Sequence, residues 1–442
     1  MKHNYLNKIL GLVCIITLFT LEANGQSSYN MTYSQFGVGQ SNAPFNMPMA
    51  NAMGGVIYTR QGSNFINPMN PASYAGVQTE SFVFDMALMI QNNTLRTRDQ
   101  HLSDFDGNLS YLTVAFPIFK WWKMSAGLMP YSEMSYSSVS TNILPVEGSV
   151  KTIYDGVGGI NRVYWGNGFN IGDNLSLGFN VNYLYGYLER AITYDFVNSD
   201  VTHFVDSRKQ KNTHLNAFTF DFGAQYRWQL DERRKVMLAL TLQIPQTIQV
   251  EDTSWIYTLE ESSGGSNQVI FPSNNDPSYQ SHMKQPLKVG FGLSYEYDQR
   301  WLIAADFTYA QWNGMKYEEG LDKPVFSDDD CIDYRGNYRI SIGGGWLGNK
   351  EATNYWGRIG ISAGIYYDRA SLSLLLADGS YRLDEIGAGM GFTFPMRKGR
   401  SQITLSLGYS SFGDINLLRN DCFTIGLSVG SCEKWFSKRK YN

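Results

Sequence analysis

Lys288-Val289-Gly290-Phe291-Gly292-Leu293-Ser294-Tyr295-Glu296-Tyr297 runs into Asp298-Gln299-Arg300 and then Trp301. From Val289 to Tyr297 every second residue is apolar or aromatic, and the residues between are glycine, serine or charged. A period of two puts these sets on opposite faces of an extended strand. Three polar residues then turn the chain, and a tryptophan opens the next segment. Trp is enriched where one end of a ring meets hydrocarbon and the other meets water. Trp121, Trp122, Trp228, Trp346, Trp356 and Trp435 stand beside similar short polar stretches. A row of Trp at one end of many strands is the interfacial girdle of a transmembrane β-barrel.

The alternation recurs along the chain. Leu175, Leu177, Phe179, Val181 and Tyr183 interleave with small or polar residues, as do Ile386 to Phe394, Ile403 to Tyr409 and Phe423 to Val429. One face suits lipid and the other suits a barrel interior. Leu405 is expected to face hydrocarbon, and Ser406 a lumen that tolerates polarity where space allows. A soluble sandwich would also alternate, but with shorter strands and without Trp at one end of nearly every hairpin.

Six short turns lie near 119–123, 172–174, 229–235, 298–300, 347–355 and 396–400. Seven long links lie near 92–105, 138–157, 190–213, 245–285, 313–335, 369–381 and 412–420. Short periplasmic turns alternating with long outer loops predict an all-β chain. It is a transmembrane antiparallel β-barrel of about 14 strands, with both termini in the periplasm. Within the long links, 151–154 and 268–271 also read as strand.

Composition agrees. Charged residues are 17 %, below the usual ~25 %, while aromatics reach 14 % and there are 43 glycines. A net charge of −4 gives no pull toward nucleic acid. Lys2 and Lys8, the apolar run Ile9–Phe19 and Ala23-Asn24-Gly25 read as a secretory signal over residues 1–25. Residues 26–79 carry turn formers without a period and are expected to plug the lumen. Residues 80–430 form the barrel, and 431–442 a basic periplasmic tail. Cys422 and Cys432 lie on one predicted strand, which at ~3.3 Å per residue holds them too far apart to bridge.

The plug region holds Phe36-Gly37-x-Gly39, Ala52-Met53-Gly54-Gly55 and Asn70-Pro71-Ala72, the last just before the first strand. Gly156-Val157-Gly158-Gly159-Ile160-Asn161 and then Gly166 precede a middle strand. In order and placement these motifs resemble the FadL-like family of outer-membrane long-chain fatty acid and hydrophobic compound transporters. That resemblance implies an N-terminal hatch ending at Asn70, Pro71 and Ala72, which would act as plug and gate. It also implies a kinked third strand that opens a lateral gap, here at Pro130, Tyr131 and Ser132. A proline cannot donate to a ladder, so Pro130 equally suits a plain rim position, and Asn70-Pro71 a plain turn.

Other motifs read as structure. Gly360–Gly364 and Gly426–Gly430 spell G-x-S-x-G, but inside alternating strands rather than at a strand-to-helix turn. Gly343–Gly348 spells G-x-G-x-x-G with no helix opening after it. Asp322, Asp328, Asp329, Asp330 and Asp333 make an acidic loop, read as solvated rather than as a calcium site. His101, His203, His214 and His282, read as lying in loops and at a strand start, lack ligand spacing. No catalytic residues, metal or cofactor are expected.

Two function classes remain: uptake of hydrophobic small molecules through a plugged channel with lateral exit, and a protein-interaction barrel such as a PorV-like secretion component. A barrel enzyme would need a Ser, His and Asp cluster that the sequence does not offer. Expected partners are outer-membrane lipids, a hydrophobic ligand, the barrel-assembly machinery and, in the second class, a secretion component. The expected location is the outer membrane of a Gram-negative bacterium.

Overall fold

The computed structural model describes residues 32–35, 37–41, 44–144, 148–197, 206–262, 265–272, 278–312, 332–349, 351–376, 379–396 and 401–434. The signal segment, Trp435, Cys331, His203 and the acidic residues 322 and 328–330 lie outside them. The strands are β1 (Ser81–Arg96), β2 (His101–Pro117), β3 (Trp122–Leu144), β4 (Gly148–Ile171), β5 (Leu175–Val197) and β6 (Asp206–Gln229). There follow β7 (Arg234–Gln243), β8 (Gln246–Ser262), β9 (Gly265–Pro272), β10 (Ser278–Gln285), β11 (Lys288–Tyr297) and β12 (Trp301–Ala310). The last are β13 (Ile332–Tyr334), β14 (Asn337–Trp346), β15 (Gly360–Arg369), β16 (Leu372–Leu376), β17 (Gly379–Arg382), β18 (Glu385–Pro395), β19 (Ser401–Asp414) and β20 (Leu418–Lys434).

Each barrel strand pairs antiparallel with its neighbour in the order β1 to β7, then β11, β12, β14, β15, β18, β19 and β20. β1 and β20 pair from Ser81–Lys434 to Arg96–Arg419 and close the ring. The barrel therefore has fourteen strands. No helix among the described residues is long and apolar enough to cross a membrane. β7 and β8 are one wall strand interrupted at Ile244-Pro245, and β10 and β11 one interrupted at Pro286-Leu287. At both places a proline has no N–H to give the ladder.

Outward positions follow the alternation: Phe291, Leu293, Ile303, Ile342, Ile365, Ile386 and Leu427 are all exposed on the wall. Six of the seven tryptophans expected to form a girdle are described, and they sit at the short-turn end, where Trp301 and Trp346 pair across β12 and β14. Cys422 and Cys432 are both free and share β20.

Several expected long links are strand instead. β3 to β6 are 23 or 24 residues long, whereas β11, β12, β14 and β15 have 10 each. At ~3.3 Å per residue and a tilt near 40°, the difference raises one side of the barrel by roughly 30 Å above the other. This crest has its own core of Met134, Tyr136, Ile160, Leu184, Leu188, Leu215, Ile248 and Val250. The three described histidines all lie in strands: His101 and His282, expected in links, open β2 and sit within β10, and His214, expected at a strand start, lies within β6. The Ser of each G-x-S-x-G stretch lies within a strand, Ser362 in β15 and Ser428 in β20.

Candidate functional site

The lumen is filled from the N-terminal side of β1. Residues 47–59 are buried without a gap, in a one-turn helix (Pro48–Asn51) and the turns after it. A second turn, a 3₁₀ helix over Pro71–Gly76, ends the plug. Irregular backbone survives at membrane depth only where protein groups satisfy it. Two lumenal carboxylates do part of this. Asp306 Oδ2 on β12 accepts the N–H groups of Ile57 (2.6 Å) and Tyr58 (2.8 Å). Asp85 on β1 accepts the N–H of Ile66 (3.3 Å) and the Tyr111 hydroxyl (3.2 Å).

Asn70 ties the plug to itself. Its side-chain oxygen caps the second turn at the Ala72 N–H (3.1 Å), and its Nδ2 donates to the Tyr58 carbonyl (2.9 Å). That carbonyl also accepts Gln225 Nε2 of β6 at 2.7 Å. Pro71 and Ala72 lie against Gly178 of β5 and Gly223 of β6.

The lumenal glycines are the seat of the plug. A Cβ at Gly389 of β18 would fall 1.8 Å from the Asn51 carbonyl oxygen, and one at Gly364 of β15 would fall 2.2 Å from that of Met53. One at Gly430 of β20 would meet the Asn64 carbonyl oxygen at 2.2 Å. Ser406 is under the plug as well: it is fully buried and 3.4 Å from Asn51 Nδ2. Ser406 faces the lumen, but the spare space on which its tolerance was conditional is taken by the plug.

Above the plug lies a cavity of about 390 Å³. Tyr58, Pro68 and Met69 of the plug line one side of it, and Trp312, Leu372 and Leu383 from the long-loop end the other. Its wall mixes apolar Tyr131, Leu242, Met283 and Phe412 with charge. Arg162 pairs with Asp221 (3.7 Å) and Arg339 with Asp368 (3.8 Å), and Lys288 lies in the same lining. Phe45 stacks on Tyr366 with centroids 4.1 Å apart, and Arg339 lies over the Phe45 ring.

Pro130, Tyr131 and Ser132 border this cavity. The β3–β4 register slips between Pro130 and Ser132, leaving Tyr131 as the extra residue of a bulge. On its other side β3 pairs with β2 only from Pro117–Lys123 to Leu112–Leu128. Beyond that rung the β2–β3 ladder ends. A strap formed by residues 32–35 and 37–41 runs along the parted edge. Ser132 Oγ donates to the Val38 carbonyl (2.7 Å), Gln40 bridges Glu133, and Ser135 N–H donates to Ser34 Oγ (3.1 Å). Arg190 of β5 donates to the carbonyls of Gln35 and Gly37.

The strap begins at the long-loop end of the barrel, where the Tyr33 hydroxyl donates to the Leu418 carbonyl (2.6 Å). Burial, with Asp414 nearby, pushes the Tyr33 phenol up to about 12, although the Leu418 bond opposes this, so Tyr33 stays a donor. The neighbours of Pro130–Ser132 are thus strap residues; Asn70–Ala72 pack on β5 and β6 instead and do not line the cavity.

The sequence reading missed Asp85, Asp306 and the strap. The carboxylates left a signal, an acid on the lumenal face of an otherwise uncharged stretch (Ala304-Ala305-Asp306-Phe307). The strap left only the glycines of Phe36-Gly37-x-Gly39, read there as plug, and no pointer to its partners, which are remote in sequence. No group of three or more His, Cys, Asp or Glu side chains suited to a metal occurs among the described residues.

A closed fourteen-strand barrel filled by its own N-terminal residues is the fold shared with outer-membrane hydrocarbon channels of the FadL-like family. The toluene transporter TodX of Pseudomonas putida superposes with a TM-score of 0.55 at 14 % identity, over 88 % of this chain and 98 % of that one. The CymD monoaromatic hydrocarbon channel gives 0.54 at 12 % identity, again over 88 % and 98 %. The Ralstonia pickettii toluene transporter TbuX gives 0.51 at 12 % identity, over 87 % and 97 %. No curated protein sequence matches. The model of the BamG family matches residues 6–442, and the chain belongs to that family. It is an outer-membrane β-barrel protein.

Proposed function

We propose that the protein takes up hydrophobic small molecules, long-chain fatty acids or similar, through the outer membrane. The ligand enters the cavity above the plug and leaves sideways between β2 and β3, beside Pro130, Tyr131 and Ser132. The plug, locked through Asn70, Pro71 and Ala72, keeps the aqueous path shut, and the strap covers the side exit. The observation that carries this reading is the cavity's border: it meets the β3 bulge where the β2–β3 ladder ends. Solved channels of the same fold that bear the names of toluene and monoaromatic hydrocarbons support it. A ligand that binds the strap-displaced arrangement better would open the exit by differential affinity alone, with no energy source. In this reading the short-turn end, where β20 finishes at Lys434, faces the periplasm.

The test is uptake of a labelled long-chain fatty acid and of a labelled aromatic hydrocarbon. Cells carrying the wild type are compared with an empty vector. Uptake of either above the vector supports the reading, and uptake of neither overturns it. The second reading, a protein-interaction barrel, is favoured by the crest, which rises beyond what spanning a membrane requires.

A further inference from the structure

Besides the exposed Lys284, the lining of the cavity above the plug carries three cations, Arg162, Lys288 and Arg339, and three acids, Asp221, Asp368 and Glu385. Four of these six are matched in two pairs, Arg162 with Asp221 and Arg339 with Asp368. The other two are not. Among the described residues, Lys288 has no carboxylate and Glu385 no cation within ion-pair distance.

The strands place these two charges on either side of one matched pair. Asp368 of β15 stands opposite Arg339 of β14 and opposite Glu385 of β18, so the three share a rung. Lys288 opens β11, just after the break at Pro286-Leu287. In the wall the order is β11, β12, β14, β15, β18. Lys288 and Glu385 both lie within electrostatic reach of Arg339 and Asp368. The Tyr366 hydroxyl donates to Glu385 Oε1 at 2.6 Å, which orients the carboxylate and leaves its charge in place.

A charge held away from bulk water without a counter-charge is costly. A hydrocarbon in the cavity matches neither Lys288 nor Glu385. A lone carboxylate matches Lys288 but adds a negative charge near Asp368 and Glu385. A lone ammonium matches Glu385 and meets Lys288 and Arg339 instead. A head group with one charge of each sign matches both. The apolar part of the same lining, Tyr131, Leu242, Met283 and Phe412, suits an acyl chain.

We propose that the cavity takes a zwitterionic amphiphile, an acyl chain whose head sets its anion beside Lys288 and its cation beside Glu385. Charge complementarity of this kind selects among ligands more than it adds affinity. This names the ligand class for the uptake reading and rests on that reading's choice of the cavity as the ligand site.

The test uses the full-length protein in a nonionic detergent, with empty micelles as the blank. Three labelled probes with the same chain length are titrated: lauroylcarnitine, which carries both charges, laurate, which carries the negative one, and dodecyltrimethylammonium, which carries the positive one. The expected result is saturable binding of lauroylcarnitine and at least tenfold weaker binding of the other two. Lys288→Met and Glu385→Gln are first checked for heat-modifiable migration as folded barrels. They should shift the preference in opposite directions, Lys288→Met toward dodecyltrimethylammonium and Glu385→Gln toward laurate. A purely structural role would weaken all three probes alike. That outcome, a single-charge probe that binds the wild type as tightly as lauroylcarnitine, or no binding of any probe overturns the proposal. Uptake in cells is measured separately. Laurate bound as tightly as lauroylcarnitine removes the zwitterion and leaves the uptake reading. A zwitterion preference in a protein whose cells take up neither fatty acid nor hydrocarbon removes the uptake reading and leaves the ligand class.

Discussion

Gln40 and Glu133 exchange a pair of backbone hydrogen bonds across the parted β2–β3 seam, beside the bulge at Tyr131. A segment that precedes the whole barrel in sequence thus completes part of its wall. In the proposed exit this rung must break together with the Ser132–Val38 and Ser135–Ser34 bonds, so the cost falls on the strap rather than on the barrel ladder.

Pro130→Val should let β3 straighten and reduce uptake of a labelled fatty acid several-fold without raising leak of small solutes. Deleting residues 27–70 should raise leak and abolish selective uptake. Both are read in whole cells, with a small chromogenic solute for leak. Equal uptake of every tested hydrophobe by Pro130→Val and wild type would put the exit elsewhere.

Gly389→Val should expel the plug helix while leaving the barrel intact. Even the Cβ falls on the Asn51 carbonyl, and overpacking of this kind costs about 1–3 kcal/mol. Heat-modifiable migration should persist while single-channel conductance in a planar bilayer rises. A variant that conducts no more than wild type would show that the plug tolerates displacement of Asn51.

Asp306→Ala removes the acceptor shared by Ile57 and Tyr58. Each hydrogen bond to a charged group is worth about 1.5–3 kcal/mol, so exchange of those two amides with deuterium should quicken by at least tenfold. Asp306→Asn keeps a carbonyl acceptor and should fall between the two. Unchanged exchange in both variants would mean that packing alone seats this part of the plug.

Leu405→Arg and Ser406→Arg should fail differently. Leu405 lies on the outward face of β19, where an arginine at mid-membrane costs a barrel roughly 2–4 kcal/mol, so folded yield should drop. Ser406 lies beneath Asn51, so its arginine should displace the plug and raise leak while the barrel still assembles. Combining Ser406→Arg with deletion of residues 27–70 should restore ordinary folded yield if any was lost. Equal losses of folded yield in both single variants would place Ser406 on the wrong face.

The barrel was legible because lipid forces a pattern on it. Phe291, Leu293 and Ile303 face hydrocarbon and have few chemical alternatives. The crest was glimpsed only at 151–154, because the same strands leave the membrane. Around 206–211 both faces meet water or a private core, so the alternation fades while the ladder continues. The lumenal glycines were visible as small residues, but their purpose was not: nothing near Gly389 in sequence names Asn51 as its neighbour. Likewise Asn70 announces a turn, yet its bond to the Tyr58 carbonyl depends on how the plug coils. Asp85 and Asp306 were readable as anomalies whose partners, backbone amides, carry no sequence signature at all.

The closing pair of strands sets an order of events. β1 and β20 zip along all sixteen residues of β1, and the plug leads directly into β1 at Val77 to Ser81. Once that zipper is shut, the carbonyls that rest on Gly364, Gly389 and Gly430 have to be seated from inside a closed ring. Because the hatch runs straight into β1, seating it while β1 and β20 are still apart would make closure of the wall and filling of the lumen one event.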